Sequence, residues 1–125
     1  MQKLVANIWC NRNAEEAGRF YTSVFPDATA EVELRYPTDH LLDFQREFAG
    51  QPLVVALTIA GTRLTLINSD DTFAPNPAIS LMLNFDPLAF GGDADARAAL
   101  DGIWEKLIDG GSINIPRGEY PKSQQ

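Results

Sequence analysis

The sequence predicts an α+β protein of two paired β-α-β-β-β modules, the second of which lacks its last two strands. Three observations indicate this fold. The chain opens with a strand pattern and an amphipathic helix, three further strand patterns follow, and after a linker the order strand–helix–strand returns. One such module cannot cover both faces of its sheet, so two should pair. Within a single domain of 125 residues, the first module spans about residues 1–72 and the partial second about 78–116.

The first module begins with a short apolar strand over residues 4–10 and a helix that starts at Asn13. Asparagine is a favoured residue at helix N-termini, because its side chain can accept from unpaired backbone N–H groups. The helix then places apolar residues at helical spacing until Pro26 ends it. These residues are Ala17, Phe20, Tyr21, Val24 and Phe25.

The remaining strands of the first module follow from alternation and turn chemistry. Residues 30–36 alternate apolar with charged side chains, which is typical of a half-exposed strand. Residues 53–59 and 63–67 are two further strands, joined by the turn at residues 60–62. In the less regular stretch of residues 37–50, Asp39 could cap a short helix. Its apolar residues would be Leu41, Leu42, Phe44 and Phe48.

The partial second module follows a linker at residues 75–77 that contains two prolines and cannot be helical. Residues 79–85 have the pattern of a strand, and a helix then begins at Asp93 or Asp95. A last short strand covers residues 112–115, followed by a turn. The two strands that would complete the module are absent, which predicts an unpaired sheet edge and therefore a homodimer.

Composition and charge exclude several classes of partner. The formal net charge is −7 and the chain has no run of Lys or Arg, so nucleic acid and anionic membrane surfaces are poor partners. The sequence contains no apolar stretch of membrane-spanning length. Its single cysteine, Cys10, excludes an internal disulfide framework and agrees with a cytoplasmic location. Free cysteines are commonly buried, so Cys10 is expected to be a small core residue.

Several segments in order resemble one known family. They are Asn7-Ile8-Trp9, Asn13 to Ala17, Phe20-Tyr21, Phe25-Pro26-Asp27, Ile59-Ala60-Gly61, Leu66-Ile67-Asn68, Phe73 to Ser80, Ile103-Trp104 and Gly110-Gly111. The chain resembles the PhnB-like, or demethylubiquinone methyltransferase-like, branch of the vicinal oxygen chelate (glyoxalase/bleomycin-resistance) superfamily. The resemblance runs through the whole chain and implies a ligand pocket on the concave side of the sheet. No glycine-rich loop for a methyl-donor cofactor follows the first strand, so the word methyltransferase in the family's label is no evidence for that activity here.

The resemblance also implies where a metal would bind. Metal-dependent relatives use His, Glu or Gln side chains on the first, fourth, fifth and eighth strands. The nearest positions here are Asn7, Asn68 and Ser80, which do not form a competent ligand set. The only histidine, His40, falls in the irregular stretch and is expected to be a solvated loop residue. We therefore expect no metal and no other cofactor.

Strand alternation predicts the ligand-binding residues. If Ile8 faces the helix, Asn7 and Trp9 face the concave side. Similar alternation extends the predicted ligand-binding set to Asn7, Trp9, Leu66, Asn68, Ser80, Met82 and Asn84. Apolar side chains with a few amides and a hydroxyl suit an apolar ligand oriented by hydrogen bonds. The alternative is that these amides only satisfy backbone groups at strand ends.

Three functions remain open at this stage. The first hypothesis, which the missing metal ligands favour, is a metal-independent small-molecule-binding protein with an unassigned ligand. It could instead be a metalloenzyme of the glyoxalase or dioxygenase type, for which stoichiometric metal in purified protein would be the evidence. A third alternative is an inactive, truncated relative. No residue pattern identifies a catalytic group, so catalytic residues are unknown.

Overall fold

The first part of the chain folds in the predicted β-α-β-β-β order. The computed structural model describes residues 2–113, and the chain divides into two units, Met1–Met82 and Leu83–Gln125. In the first unit the strands have the sheet order β1-β4-β3-β2, with β1 parallel to β4 and the other pairs antiparallel. The elements are β1 (Ala6–Asn11), α1 (Ala14–Val24), β2 (Thr29–Arg35), a 3-10 helix (Asp43–Phe48), β3 (Pro52–Ile59) and β4 (Thr62–Ser69).

The hairpin between β3 and β4 confirms the predicted turn. Ile59 pairs with Thr62, which leaves a two-residue loop of Ala60 and Gly61. Both loop residues have positive φ, 51° and 79° respectively. This geometry matches the right-handed twist of paired strands, and glycine adopts it without steric cost. The hairpin therefore sets the register in which Leu66 lies opposite Val55.

Helix α1 covers one face of this sheet and forms the core with it. The buried cluster comprises Cys10, Ala14, Val55, Leu57, Leu64 and Leu66. The helix approaches the sheet closely at Gly18, where an added Cβ would lie 3.1 Å from the Ala30 Cβ and 3.2 Å from the Val55 Cγ1. Cys10 is 8% exposed, which confirms that it is a core residue. Burial raises the pKa of its thiol, so the reactive thiolate is disfavoured.

The stretch between β2 and β3 differs from its prediction. Asp39 caps no helix and is exposed, and its Oδ2 lies 3.9 Å from the Nε2 of His40, which is also exposed. The 3-10 helix begins later, where the Gln45 side-chain oxygen accepts from the Leu42 backbone N–H at 3.2 Å. Only Phe48 of its apolar residues is buried, at 4% exposure. The short helix of this stretch is therefore a six-residue 3-10 helix that starts at Asp43, and it is not capped by Asp39.

The second unit is helical in its described part. It contains α2 (Pro87–Phe90) and α3 (Asp93–Ile108), and α3 begins at the first of the two predicted positions. The Asp86 side chain accepts from the Leu88 N–H at 3.0 Å and so caps α2, which the sequence analysis did not foresee. No helix among residues 2–113 has the length and apolar character needed to cross a membrane.

The predicted strand over residues 79–85 does not form. These residues adopt no regular structure, and Ile79, Leu81 and Met82 are 83%, 63% and 84% exposed. A strand exists only through hydrogen bonds to a neighbouring strand, and none of the four described strands pairs with this segment. Of the predicted last strand, residues 112 and 113 are irregular. Residues 114–115 and the turn after them lie outside the described residues.

Candidate functional site

The side of the sheet opposite α1 carries the first two predicted site residues. Ile8 and Cys10 pack in the core beneath α1, so the alternating residues Asn7 and Trp9 lie on the other face, as predicted. Asn7 is the register partner of Thr65, and Trp9 is the register partner of Ile67. We call this surface, made of Asn7, Trp9, Thr65 and Ile67, the Trp9 face.

A polar pair lies within the Trp9 face. The Thr65 hydroxyl donates to the side-chain oxygen of Asn7 across the β1–β4 pairing. Thr65 is buried, at 8% exposure, whereas Asn7 is exposed. The bond uses the amide oxygen of Asn7 and leaves its two N–H groups pointing from a fixed side chain. Those groups can orient a ligand that carries an acceptor oxygen or nitrogen.

An aromatic contact lies beside this polar pair. The ring centroids of Trp9 and Phe73 are 5.0 Å apart with an interplanar angle of 34°. Both rings remain accessible, at 40% and 57% exposure. Phe73 belongs to an irregular segment that follows β4, in which the Asp70 side chain accepts from the Thr72 N–H at 2.9 Å. The two rings are in contact, so a flat ligand can stack on that side of Trp9 only if Phe73 moves.

Leu66 and Asn68 do not belong to the Trp9 face, which corrects the prediction for both. Leu66 is 1% exposed and packs in the core beneath α1. The Asn68 side-chain oxygen accepts from the Ala14 N–H at 3.3 Å, and its nitrogen donates to the Pro52 carbonyl at 3.0 Å. The Asn68 amide thus binds backbone groups, which is the arrangement that the alternative given above describes. The reason is the register of β4, in which Thr65, not Leu66, neighbours Asn7.

The remaining three predicted residues have no strand to hold them. Ser80, Met82 and Asn84 are exposed and irregular, and Asn84 belongs to the second unit. The structure therefore brings only Asn7 and Trp9 of the predicted set together. Ligand binding by any of the seven residues stays a prediction.

Sequence reasoning missed Thr65 and Phe73. The sequence of β4 does contain a pattern that indicates the direction of Thr65. Arg63 and Thr65 alternate with Leu64 and Leu66, and the apolar residues of a strand covered on one side face the helix, so Thr65 should face the other side. Phe73 lies in a loop, where no periodicity constrains its direction.

A second polar group, formed by Arg12 and Glu47, lies at the end of β1. Arg12 has a positive φ of 61°, and its guanidinium donates to both Glu47 oxygens, at 2.9 and 2.8 Å. The guanidinium also lies 5.9 Å from the ring centroid of Phe48. The hydrogen bond from Arg12 lowers the pKa of the Glu47 carboxyl below its ordinary value of 4.5. These contacts connect the 3-10 helix to the end of β1. The Arg12 guanidinium and the Glu47 carboxylate neutralise each other's charge.

The described residues do not fit the metal site that the superfamily implies. Both amide atoms of Asn68 are engaged in the core, and the Asn7 oxygen accepts from Thr65. Ser80 lies in no strand. Among residues 2–113, no group of three or more His, Cys, Asp or Glu side chains could hold a metal ion. We therefore derive no chemistry through a metal.

The fold and its sheet define a glyoxalase-like α+β protein. A family model described as 3-demethylubiquinone-9 3-methyltransferase matches residues 2–123, and the chain belongs to that family. A solved structure from Bacillus cereus, described as a putative 3-demethylubiquinone-9 3-methyltransferase, PhnB protein, is similar with a TM-score of 0.68 and 26% identity. The similarity covers 96% of this chain and 84% of that one, and it confirms the PhnB-like resemblance. No curated protein matched.

Replacing Asn68 should lower stability. In Asn68→Ala the buried Ala14 N–H and Pro52 carbonyl each lose their partner, so we expect the free energy of unfolding to fall by about 1–3 kcal/mol. Urea denaturation followed by circular dichroism measures this. Asn11→Ala is the matched control, because it removes an exposed amide at the end of β1, and it should cost clearly less. Equal losses in the two variants would contradict the structural role of Asn68.

The Arg12–Glu47 pair should make part of the stability depend on pH. The pKa of Glu47 is lowered in the folded state, so the unfolded chain takes up the proton first as pH falls. The contribution of the pair is therefore fully present above pH 4.5, and it is lost as the pH falls through the lower pKa of the folded state. We expect Glu47→Gln to melt at a slightly lower temperature than wild type at pH 7 and at the same temperature at about pH 3. A difference in melting temperature that does not change with pH would contradict this.

Proposed function

We propose that the protein binds a small, neutral, flat organic molecule on the Trp9 face without a metal. The observation that carries the proposal is the accessible indole of Trp9 beside the fixed amide of Asn7. An indole offers a large, rigid apolar surface on which a ligand ring can stack. Asn7 and Thr65 supply the few polar groups that orient such a ligand.

The charge around the Trp9 face supports a neutral ligand. Its four residues carry no charge. Arg63 lies two residues before Thr65 on the same strand, and its guanidinium is paired with the Glu33 carboxylate. A charged ligand group at the Trp9 face would lose hydration without gaining an unpaired opposite charge, so binding would be weakened.

The proposal is for binding and contains no reaction step. The Trp9 face brings together two neutral polar side chains, an indole and an isoleucine, and none of these is an acid or base near neutral pH. The description of the family names a methyltransferase acting on 3-demethylubiquinone-9. A quinone-type ring is flat and neutral, and it is therefore a reasonable probe of this site.

We propose further that the protein is a cytoplasmic homodimer. The single, buried cysteine supports a reducing compartment, where structural disulfides are rare. Among the strands that the structure describes, β1 lies at the edge of the sheet, and this supports self-association, because an unpaired strand edge can add a strand from another chain.

Tryptophan fluorescence tests the site directly, because the sequence has two tryptophans. In Trp104→Phe the remaining indole is Trp9, so its emission reports on the Trp9 face alone. We would titrate this variant with a short-chain, fully methylated ubiquinone analogue, S-adenosylmethionine and simple phenols, and repeat each positive titration by calorimetry. We expect at least one neutral ring compound to bind and the charged S-adenosylmethionine to bind no better.

The matched variants decide whether binding uses this face. Starting from wild type, Asn7→Ala should weaken binding of the positive compound by about 3- to 10-fold, the loss of one or two ligand hydrogen bonds. Asn13→Ala, which removes an exposed amide at the start of α1, should leave the affinity unchanged. If no compound binds, or if Asn7→Ala and Trp9→Ala bind it as wild type does, the proposed site is wrong.

Phe73 should act as a competitor for the same surface. Its ring contacts Trp9 in the absence of a ligand, so a stacked ligand must break this contact. We expect Phe73→Ala to bind a ring compound about 2- to 10-fold more tightly than wild type, as measured by calorimetry. Phe44→Ala, which removes another exposed phenylalanine, is the control. Weaker binding by Phe73→Ala would show that Phe73 contacts the ligand instead of competing with it.

A further inference from the structure

A row of apolar side chains crosses the sheet on the side that α1 does not cover. In the strand register, Trp9 lies beside Ile67, Ile67 lies opposite Val54, and Val54 lies opposite Leu34. Register partners on neighbouring strands lie on the same face of a sheet, so all four side chains share the face of Trp9. We call these four residues, Trp9, Ile67, Val54 and Leu34, the apolar row. It takes one residue from each of the four described strands.

A bulge in β2 places Leu34 on this face. Val32 packs against the core and lies opposite Val55. With regular alternation, Leu34 would face the same side as Val32. The register shifts between these two residues, so that Leu34 lies opposite Val54. One extra residue in a strand turns the side chains that follow it to the other face, and the bulge therefore supplies the last residue of the apolar row.

The part of the face next to the apolar row is already covered. Ala56 lies on the side of the sheet away from α1, yet it is only 9% exposed. The Arg63 guanidinium of β4 is paired with the Glu33 carboxylate of β2, and β3 lies between these two strands. An ion pair that joins β4 to β2 has to pass over β3, which accounts for the burial of Ala56. A ligand that extends toward Arg63 would therefore meet charged side chains, whereas the apolar row carries no charge.

The apolar row is long and narrow. Its two ends are accessible, since Trp9 is 40% exposed and Leu34 is 54% exposed. Neighbouring strands lie about 4.8 Å apart, so three strand spacings give the row a length of about 14 Å. Along β4, the hydroxyl residues Thr65 and Ser69 occupy the next positions on either side of Ile67 on this face. Same-face neighbours of one strand are about 7 Å apart, so the row is only one side chain wide.

These dimensions indicate the class of ligand. We propose that the ligand carries an apolar chain on its flat ring, and that the chain lies along the apolar row and reaches Leu34 when it is long enough. A single chain covers the row without covering the hydroxyl groups beside it, whereas a broad fused-ring system would remove those groups from water at a cost. The inference rests on the proposed binding of a flat, neutral ring at Trp9, and it adds the chain.

A series of 4-alkylphenols tests the inference. Phenols are neutral near pH 7, and the series varies only the length of the chain, here from methyl to octyl. We expect the dissociation constant for wild type, measured by calorimetry, to fall by about 2- to 4-fold for each added methylene, because each one buries apolar surface on the row.

A variant at the end of the row shows where the chain lies. Leu34→Ser should weaken binding of 4-octylphenol by about 3- to 10-fold and leave binding of 4-methylphenol unchanged, because only the long chain reaches this position. Leu42→Ser is the matched control, since Leu42 is similarly exposed, at 60%, but lies outside the strands. Both leucines are exposed, so both variants should fold, and circular dichroism checks this.

The possible failures can be told apart. If no phenol binds, or if Asn7→Ala and Leu34→Ser both bind 4-octylphenol as wild type does, the proposed site and the chain are both wrong. If short phenols bind and Asn7→Ala weakens them, but the affinity does not rise with chain length, only the chain is wrong. Equal weakening of 4-octylphenol binding by Leu34→Ser and Leu42→Ser would likewise overturn the chain and leave the ring site in place.

Discussion

The side chain of Asn68 holds the first unit together at one point. Its amide binds the Ala14 N–H at the start of α1 and the Pro52 carbonyl at the start of β3. The backbone carbonyl of Asn68 accepts from the buried Tyr36 hydroxyl at 2.7 Å. Tyr36 directly follows β2, so this bond connects the end of β2 to the same residue. One residue of β4 thus connects a helix and two other strands. Because these groups are buried, each bond satisfies an atom that would otherwise lose its hydration without compensation.

The hydrogen bonds of Asn68 help to determine which side of the sheet α1 covers and which side stays accessible. The bond to Ala14 keeps the start of α1 against the sheet, and the core residues of β4 must then face that helix. Asn7, Trp9 and Thr65 are left on the opposite face, where α1 cannot cover them. Asn68, which the sequence pattern assigns to a ligand-binding face, therefore has a structural role in fixing the side of the sheet on which the Trp9 face lies.

The helix, the hairpin and the sidedness of β1 could be predicted because each depends on neighbouring residues. Ile8 and Cys10 alternate with Asn7 and Trp9 within one strand, and Ala60-Gly61 is a local turn. The side occupied by Asn68 depends instead on the pairing of β1 with β4, nearly 60 residues away, where Cys10 lies opposite Asn68. The same holds for Arg12, whose partner Glu47 is 35 residues distant. The start of α1 shows both kinds of information. Asn13 stands where the local sequence predicts the helix start, but the Ala14 N–H is bound by the side chain of Asn68, a residue far away in the sequence.

The failure of residues 79–85 to form a strand has a different origin from these errors. Its local pattern is that of a strand, and the described structure contains an edge that could accept one. Ile79, Leu81 and Met82 of the segment are largely exposed. A strand requires a neighbour that supplies backbone partners, and the residues of the segment do not specify which neighbour that is. The β3–β4 hairpin could be predicted because a local turn joins its two strands, whereas no such turn fixes a partner for residues 79–85.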